Sequence, residues 1–97
     1  MHGSSHSMLA TEVQKAGDLY QQAAQALLLA YQRNKEATRH HAHGAFRAAL
    51  HHARMSVHHV QDAQTHLEQA LALSISLSAH DAVALQPLPM PVEVRKQ

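Results

Sequence analysis

The chain has 97 residues, of which 45% are hydrophobic and 15% charged, and its formal net charge is +1. This composition is typical of one small globular domain rather than of a disordered chain, and the charge gives no general attraction to nucleic acid. There is no cysteine, which excludes disulfides, thiolate zinc sites and a cysteine nucleophile.

The opening residues, MHGSSHSM, resemble an added cloning leader, and we interpret residues 1–10 as a leader with the natural start at Met8. We assign no function to the histidines of this leader. A secretory signal is not evident, because Asp18 and several glutamines interrupt the apolar stretches that follow. The most apolar run, at 26–31, is too short to cross a membrane. We therefore expect a cytoplasmic protein without membrane insertion, either free or incorporated into a larger particle.

The first predicted helix begins at a capping box formed by Thr11 and Gln14. Beyond it apolar residues recur at spacings of three and four, which indicates a helix that packs along one stripe. Alanine occupies every seventh position of that stripe, so we expect a second, antiparallel helix to approach closely. The predicted stripe is Leu9, Val13, Ala16, Tyr20, Ala23, Leu27 and Ala30, with Ala37 continuing the alanine series.

A bend is predicted between residues 38 and 44, because either Asn34 or Gly44 can end a helix in the left-handed conformation. One helix continuous through this region is the competing interpretation. The second helix is predicted from Ala45 to the late seventies. We interpret the alternating segment 71–77 as its end, because a lone strand would have no partner. The predicted buried stripe is Phe46, Leu50, Ala53, Val57, Val60, Gln64, Leu67 and Leu71.

A second capping box, Ser78 with Asp81, predicts a short third helix over 79–85. After it, three prolines at alternate positions exclude a helix and predict an extended tail over 86–97. The sequence thus predicts an all-α fold: an antiparallel helical hairpin domain over 11–85, with two long helices, a short C-terminal helix and a Pro-rich tail.

Histidine is the unusual residue, at 11 of 97. The doublets at 51–52 and 58–59 are seven residues apart, and on the predicted stripe these histidines and His66 all point away from the core. Residues seven apart lie two helical turns apart, so the doublets cannot share one metal ion. His58, Asp62 and His66 follow at spacings of four, which predicts a partial zinc, nickel or copper site completed by another chain.

Basic residues concentrate near the predicted bend, where the start of the second helix also favours anions. This predicts an anion or nucleic-acid site, although the lack of aromatic stacking residues argues against single-stranded nucleic acid. The residues concerned are Arg33, Lys35, Arg39 and Arg47.

Two helices of this length cannot bury their apolar stripes by themselves, and the run 26–31 is apolar around most of its circumference. Our first hypothesis is therefore a non-enzymatic interaction or assembly subunit without a cofactor. It would form a four-helix bundle with itself, or join a helical partner in a larger assembly. A histidine-based divalent-metal protein is the alternative, and an anion or nucleic-acid binder is the third. The predicted interface residues are Tyr20, Leu27, Leu28, Leu29, Tyr31, Leu73, Ile75, Leu77, Leu88 and Met90.

Two partial resemblances accompany this hypothesis. In length, bend position and lack of cysteine, the chain resembles the helical hairpins of the type VII secretion family, which implies a helical partner. The family's Trp-x-Gly turn motif is missing, and "HAHG" (41–44) stands in its place. Residues 59–62 also resemble the His-x-Gln-Asp tetrad of lactose-type phosphotransferase IIA proteins, three-helix proteins with a phosphorylated histidine. No residue role is carried over, because the separate third helix that holds the tetrad there has no counterpart here.

Overall fold

The computed structural model describes the backbone of residues 2–84 and the side chains of residues 8–80. Helix α1 runs over His2–Ala42 and helix α2 over Phe46–Ala84, and the two pack against each other along their length. This confirms the predicted all-α helical hairpin. The alternating segment 71–77 is helical, as we interpreted it. Neither helix, within the described residues, is long and apolar enough to span a membrane.

The reversal of the chain occupies residues 43–45 and depends on one glycine. Gly44 has a φ of 77°, a left-handed conformation in which a Cβ would be strained. The amide of Gly44 donates to the carbonyl of His41 at 3.0 Å, and the amide of Ala45 donates to that of His40 at 2.8 Å. These bonds satisfy the last carbonyls of α1 and stop it, so the bend lies at the late edge of the predicted interval.

Both ends of the hairpin differ from the prediction. Helix α1 begins at His2 rather than at Thr11, so the capping box lies inside a continuous helix. Helix α2 continues without a break to Ala84, so a separate third helix does not form among the described residues. Position 85 and the tail over 86–97, including Leu88 and Met90, lie outside the described residues.

The hairpin is packed almost entirely through alanine. Of the nine buried hydrophobic residues in the described part of the chain, eight are alanine and the other is Leu19. The predicted alanine series on α1 is buried, which confirms the close packing expected of it. The buried alanines are Ala16, Ala23, Ala26, Ala30 and Ala37 on α1, and Ala49, Ala63 and Ala70 on α2.

Two polar contacts across the helices show how they are aligned. The hydroxyl of Ser56 donates to the carbonyl of Ala30 at 2.9 Å, and Nη1 of Arg33 lies 3.5 Å from Nδ1 of His52. Counting heptads outward from the Ser56–Ala30 contact places residues 23 and 63, and residues 16 and 70, at the same levels of the hairpin. Alanine stands at all four positions, and none is more than 4% exposed. The small side chains allow the helix axes to approach closely.

Most of the larger side chains that we predicted to be buried are exposed, because the helices face each other through alanine. Leu9 on α1 and Ala53 and Leu67 on α2 are half-buried. On α1, Val13, Tyr20 and Leu27 are exposed beside the alanine series instead of buried with it. The predicted buried stripe of α2 is rotated outward almost as a whole. Its exposed members include Phe46, Leu50, Val57, Val60 and Leu71.

Candidate functional site

Nine of the large side chains left out of the helix interface lie toward one side of the hairpin, which we call the apolar face. Both ends of the hairpin show that the two helices contribute to the same side. The Tyr20 hydroxyl lies 2.6 Å from Oγ of Ser74, and the His41 ring meets the edge of the Phe46 ring at 5.1 Å. The apolar face consists of Val13, Tyr20, Leu27, Tyr31, Phe46, Leu50, Val57, Val60 and Leu71, each 42–62% exposed.

Near the turn the apolar face is concave. A shallow depression there is lined from α1 by Ala37, Thr38 and His41, and from α2 by residues including Phe46 and Leu50. Its lining combines buried alanines of the helix interface, Ala37 and Ala49, with larger exposed side chains such as Leu50. This shape suits an inserted apolar side chain rather than a small polar ligand.

The remaining predicted interface residues are divided among three surfaces. Leu29 lies on the opposite side of α1, beside a depression that is otherwise lined mainly by polar and charged residues such as Gln32 and Glu36. Leu28 and Ile75 are exposed. Leu73 and Leu77 are half-buried within the hairpin itself.

Three histidines of α2 lie partly inside the hairpin, contrary to the prediction from the sequence. His52, His59 and His66 are half-buried and recur every seventh residue along the buried stripe of α2, whereas His51 and His58 are exposed. The prediction that all five point away from the core is therefore wrong for three of them. The face of α2 that packs against α1 differs from the predicted face by about one residue position. For this reason His52, His59 and His66 lie on the inward side. Nδ1 of His66 is buried without a hydrogen-bond partner among the described residues.

The predicted metal ligands His58, Asp62 and His66 do not form a compact group. His58 and Asp62 are exposed, whereas His66 is half-buried. Among the described residues, the potential ligand atoms that converge to within 4.8 Å of one another belong instead to Glu36, His40 and His52, all half-buried. A site at the predicted residues, completed by another chain, stays a prediction.

The cluster of Glu36, His40 and His52, which we call the histidine cluster, joins the two helices near the turn. The His40 and His52 rings stack with centroids 5.1 Å apart and planes 10° apart. Nε2 of His40 lies 3.8 Å from a Glu36 carboxylate oxygen, which also accepts a hydrogen bond from Arg39. The sequence offered one signal, the spacing of four between Glu36 and His40, but the third member required the alignment of the helices.

Burial and neighbouring cations keep His52 neutral more readily than an ordinary histidine. Loss of water against α1 lowers the pKa of His52 below 6.5, and the charges of His40, His51 and Arg33 lower it further. Glu36 opposes them. Neutral imidazole can act as a hydrogen-bond acceptor or as a metal ligand, so His52 is prepared for either role.

The predicted basic tip is only partly assembled. Arg33, Lys35 and Arg39 line one depression along α1, whereas Arg47 is exposed on α2. All three cations already have local contacts. Arg33 approaches His52, and Arg39 bonds to Glu36. Nζ of Lys35 lies 5.3 Å from the centre of the Tyr31 ring. An anion site at these four residues stays a prediction.

Comparison with known proteins assigns no relative to this hairpin. No family model, no curated protein and no solved structure matches the chain. Any statement about its function therefore rests on the geometry of the two helices.

Proposed function

We propose that the chain is a non-enzymatic assembly subunit that pairs with a second copy of itself through the apolar face, giving a four-helix bundle. The observation that carries the proposal is the reversal of the usual burial pattern. The hairpin buries alanine and leaves the nine large side chains of the apolar face in water. An apolar surface of this kind is typical of an interaction site.

The dimensions of the apolar face suit a stable dimer. From the level of Val13 to the turn it is about 40 Å long, at 1.5 Å of rise per residue. Two helices side by side make it roughly 18 Å wide, because interaxial distances are about 8–10 Å. The product, roughly 700 Å², is close to the roughly 800 Å² per partner of a standard protein interface.

Charge favours a second copy placed antiparallel to the first. The turn half, residues 33–54, carries five Lys or Arg and one Glu, a net charge of 5 − 1 = +4. The open half, residues 8–24 with 62–80, carries one Lys and four Asp or Glu, a net charge of 1 − 4 = −3. Antiparallel copies bring these opposite charges together, whereas parallel copies place like charges side by side.

Two neighbouring leucines provide the test of association. Leu27 belongs to the apolar face, whereas Leu29 lies on the opposite side of α1, and their exposures are similar at 46% and 43%. We expect Leu27→Glu to convert a dimer into a helical monomer, because burying an unpaired carboxylate is costly. Leu29→Glu is the matched control and should remain dimeric. Sedimentation velocity gives the masses, and circular dichroism the helicity. A monomeric wild type at all concentrations, or equal loss of dimer in both variants, would contradict the proposal.

The distance between the two turns tests the orientation. Since the chain has no cysteine, Ala42→Cys introduces a single spin-label site beside the turn. About 15 residues separate position 42 from the middle of the apolar face near Leu27, or about 23 Å along the helix. An antiparallel dimer should therefore show labels about 45 Å apart by pulsed electron paramagnetic resonance. A separation below roughly 25 Å would indicate parallel copies.

A further inference from the structure

The histidine cluster lies outside the apolar face, and the proposed association makes no use of it. We propose that Glu36, His40 and His52 bind a divalent transition-metal ion of the class that prefers imidazole, such as Zn²⁺, and thereby cross-link α1 to α2 beside the turn. The three potential ligand atoms already lie within 4.8 Å of one another. The inference does not depend on self-association, because one chain supplies all three ligands.

The ligand types match the chemistry of zinc. Two imidazole nitrogens and one carboxylate oxygen are a known zinc ligand set, which leaves a fourth position for water or an external ligand. Tetrahedral bonds of about 2.0–2.1 Å place ligand atoms roughly 3.3 Å apart. The contact of 3.8 Å between His40 and Glu36 is already close to that separation. Side-chain rotation alone can close the remaining gap, since all three residues are half-buried rather than fixed in a core.

Glu36 and His40 are placed by one helix, and His52 by the other. A spacing of four residues brings Glu36 and His40 onto one face of α1. His52 comes from the facing helix, and its ring lies in a near-parallel stack beside that of His40. Because an imidazole nitrogen binds a metal in the plane of its ring, at least one of the two rings must turn out of this stack to share the ion. A bound ion would therefore tie together two helices that otherwise meet through alanine.

Two arginines compete with the ion, and both can move aside. Arg39 bonds to Glu36, but its side chain is 57% exposed, and such surface ion pairs contribute little to stability. Arg33 approaches Nδ1 of His52 at 3.5 Å, the limit of a hydrogen bond. Their positive charge weakens the site without occupying it.

Zinc titration of the full chain by calorimetry tests the inference, with His80→Gln as the control for His52→Gln. Both variants remove one histidine from α2 and retain every other histidine, but His80 is exposed and outside the cluster. We expect one zinc per wild-type chain. Affinity should fall at least about 10-fold in His52→Gln, as expected for a lost ligand, and remain unchanged in His80→Gln. Equal affinity in wild type and His52→Gln would show adventitious binding elsewhere and overturn the site.

Thermal unfolding provides a second readout. Because the ion binds the folded hairpin and bridges its helices, zinc should raise the Tm of the wild type but not that of His52→Gln. Glu36→Gln removes the carboxylate ligand from a partly exposed position, and its helicity without zinc shows whether the fold survives. A folded Glu36→Gln variant that gains as much Tm from zinc as the wild type would also overturn the site.

Discussion

The helix interface and the apolar face use opposite kinds of side chain. The interface consists mainly of alanine, with Ala63 and Ala70 at 1% and 0% exposure, whereas the apolar face presents Leu, Val, Tyr and Phe to water. Alanine buries little apolar area, so this packing contributes little hydrophobic free energy for the number of residues that it orders. The larger potential gain lies on the apolar face, and only a partner can realise it.

The contrast separates two tasks. Alanine determines how closely α1 and α2 approach, and closely packed interfaces tolerate little added volume. In the proposed dimer, the apolar face supplies the area that stabilises the assembly. A change in the interface should therefore affect the hairpin, whereas a change on the apolar face should affect association.

The largest effect should follow from added volume in the helix interface. Ala63→Leu introduces a large side chain at a position that is 1% exposed and level with Ala23. The helices must separate or rotate, which we expect to cost about 3 kcal/mol, the upper part of the range for overpacking. The Tm should fall by more than about 10 °C.

The Leu27→Glu background keeps association out of this measurement. Ala72→Leu is the control, because position 72 is exposed on the same helix. Urea unfolding followed by circular dichroism gives the free energies. An Ala63→Leu variant as stable as Ala72→Leu would show that the helices are not closely packed.

A smaller effect, and one of a different kind, should come from the apolar face. Leu50 is 49% exposed and lines the depression beside the turn. We expect Leu50→Ala to weaken dimerisation about 10- to 30-fold, because it removes about 1.4–2 kcal/mol of apolar burial from the whole dimer, or about 0.7–1 kcal/mol for each of the two copies. The unfolding free energy of the isolated hairpin should change by less than about 0.5 kcal/mol.

Sedimentation equilibrium and dilute-solution unfolding measure the two quantities separately. A loss of hairpin stability without a loss of dimer would assign Leu50 to the fold rather than to the assembly. It would then contradict the division of tasks between the two surfaces.

The sequence was sufficient to predict the fold class, the position of the bend and the alanine series of α1, because periodicity and Gly44 act locally. It was insufficient to decide which apolar stripe each helix turns toward the other. A prediction from hydrophobic periodicity selects the stripe with the most hydrophobic side chains. On α2 the stripe through Leu50 and Val57 is more hydrophobic than the stripe through Ala49 and Ala63. Close approach of two backbones favours the smaller stripe instead.

The same error affected the histidines. Once α2 was rotated so that Leu50 and Val57 faced inward, His52 and His66 necessarily pointed outward. The histidine cluster could not be predicted either, because His40 and His52 meet only when the alignment of the two helices is known. Sequence spacing identifies ligands on one helix, such as Glu36 with His40, but not across a turn.

A titration effect should appear in the helix interface. The folded hairpin holds the pKa of His52 below the 6.5 of an ordinary histidine, owing to desolvation and then to His40, His51 and Arg33, with Glu36 in opposition. Below pH 6.5 the unfolded chain therefore binds the proton more readily than the folded chain. This contribution to stability is complete above pH 6.5 and is lost as the pH falls through the folded-state pKa.

We expect the Tm to fall between pH 7.5 and 5.5 in metal-free buffer, and to fall less in His52→Gln. The control is His58→Gln, which removes an exposed histidine from the same helix. If His52→Gln and the wild type lose the same Tm over this range, the titration of His52 is not coupled to folding.

The smallest effect should come from the Tyr20–Ser74 hydrogen bond, which links the two helices at the apolar face. The hydroxyls of Tyr20 and Ser74 lie 2.6 Å apart at an exposed site, so Tyr20→Phe should cost the isolated hairpin about 0.5 kcal/mol. Dimerisation should be unchanged or slightly stronger, because the ring remains and a polar group is lost. Tyr31→Phe is the matched control, since Tyr31 is exposed and its described contact is with Lys35 on its own helix. Unfolding of both variants in the Leu27→Glu background measures the hydrogen bond. A strong loss of dimer in Tyr20→Phe alone would mean that this hydroxyl contacts the second copy, and that the apolar face ends short of Tyr20.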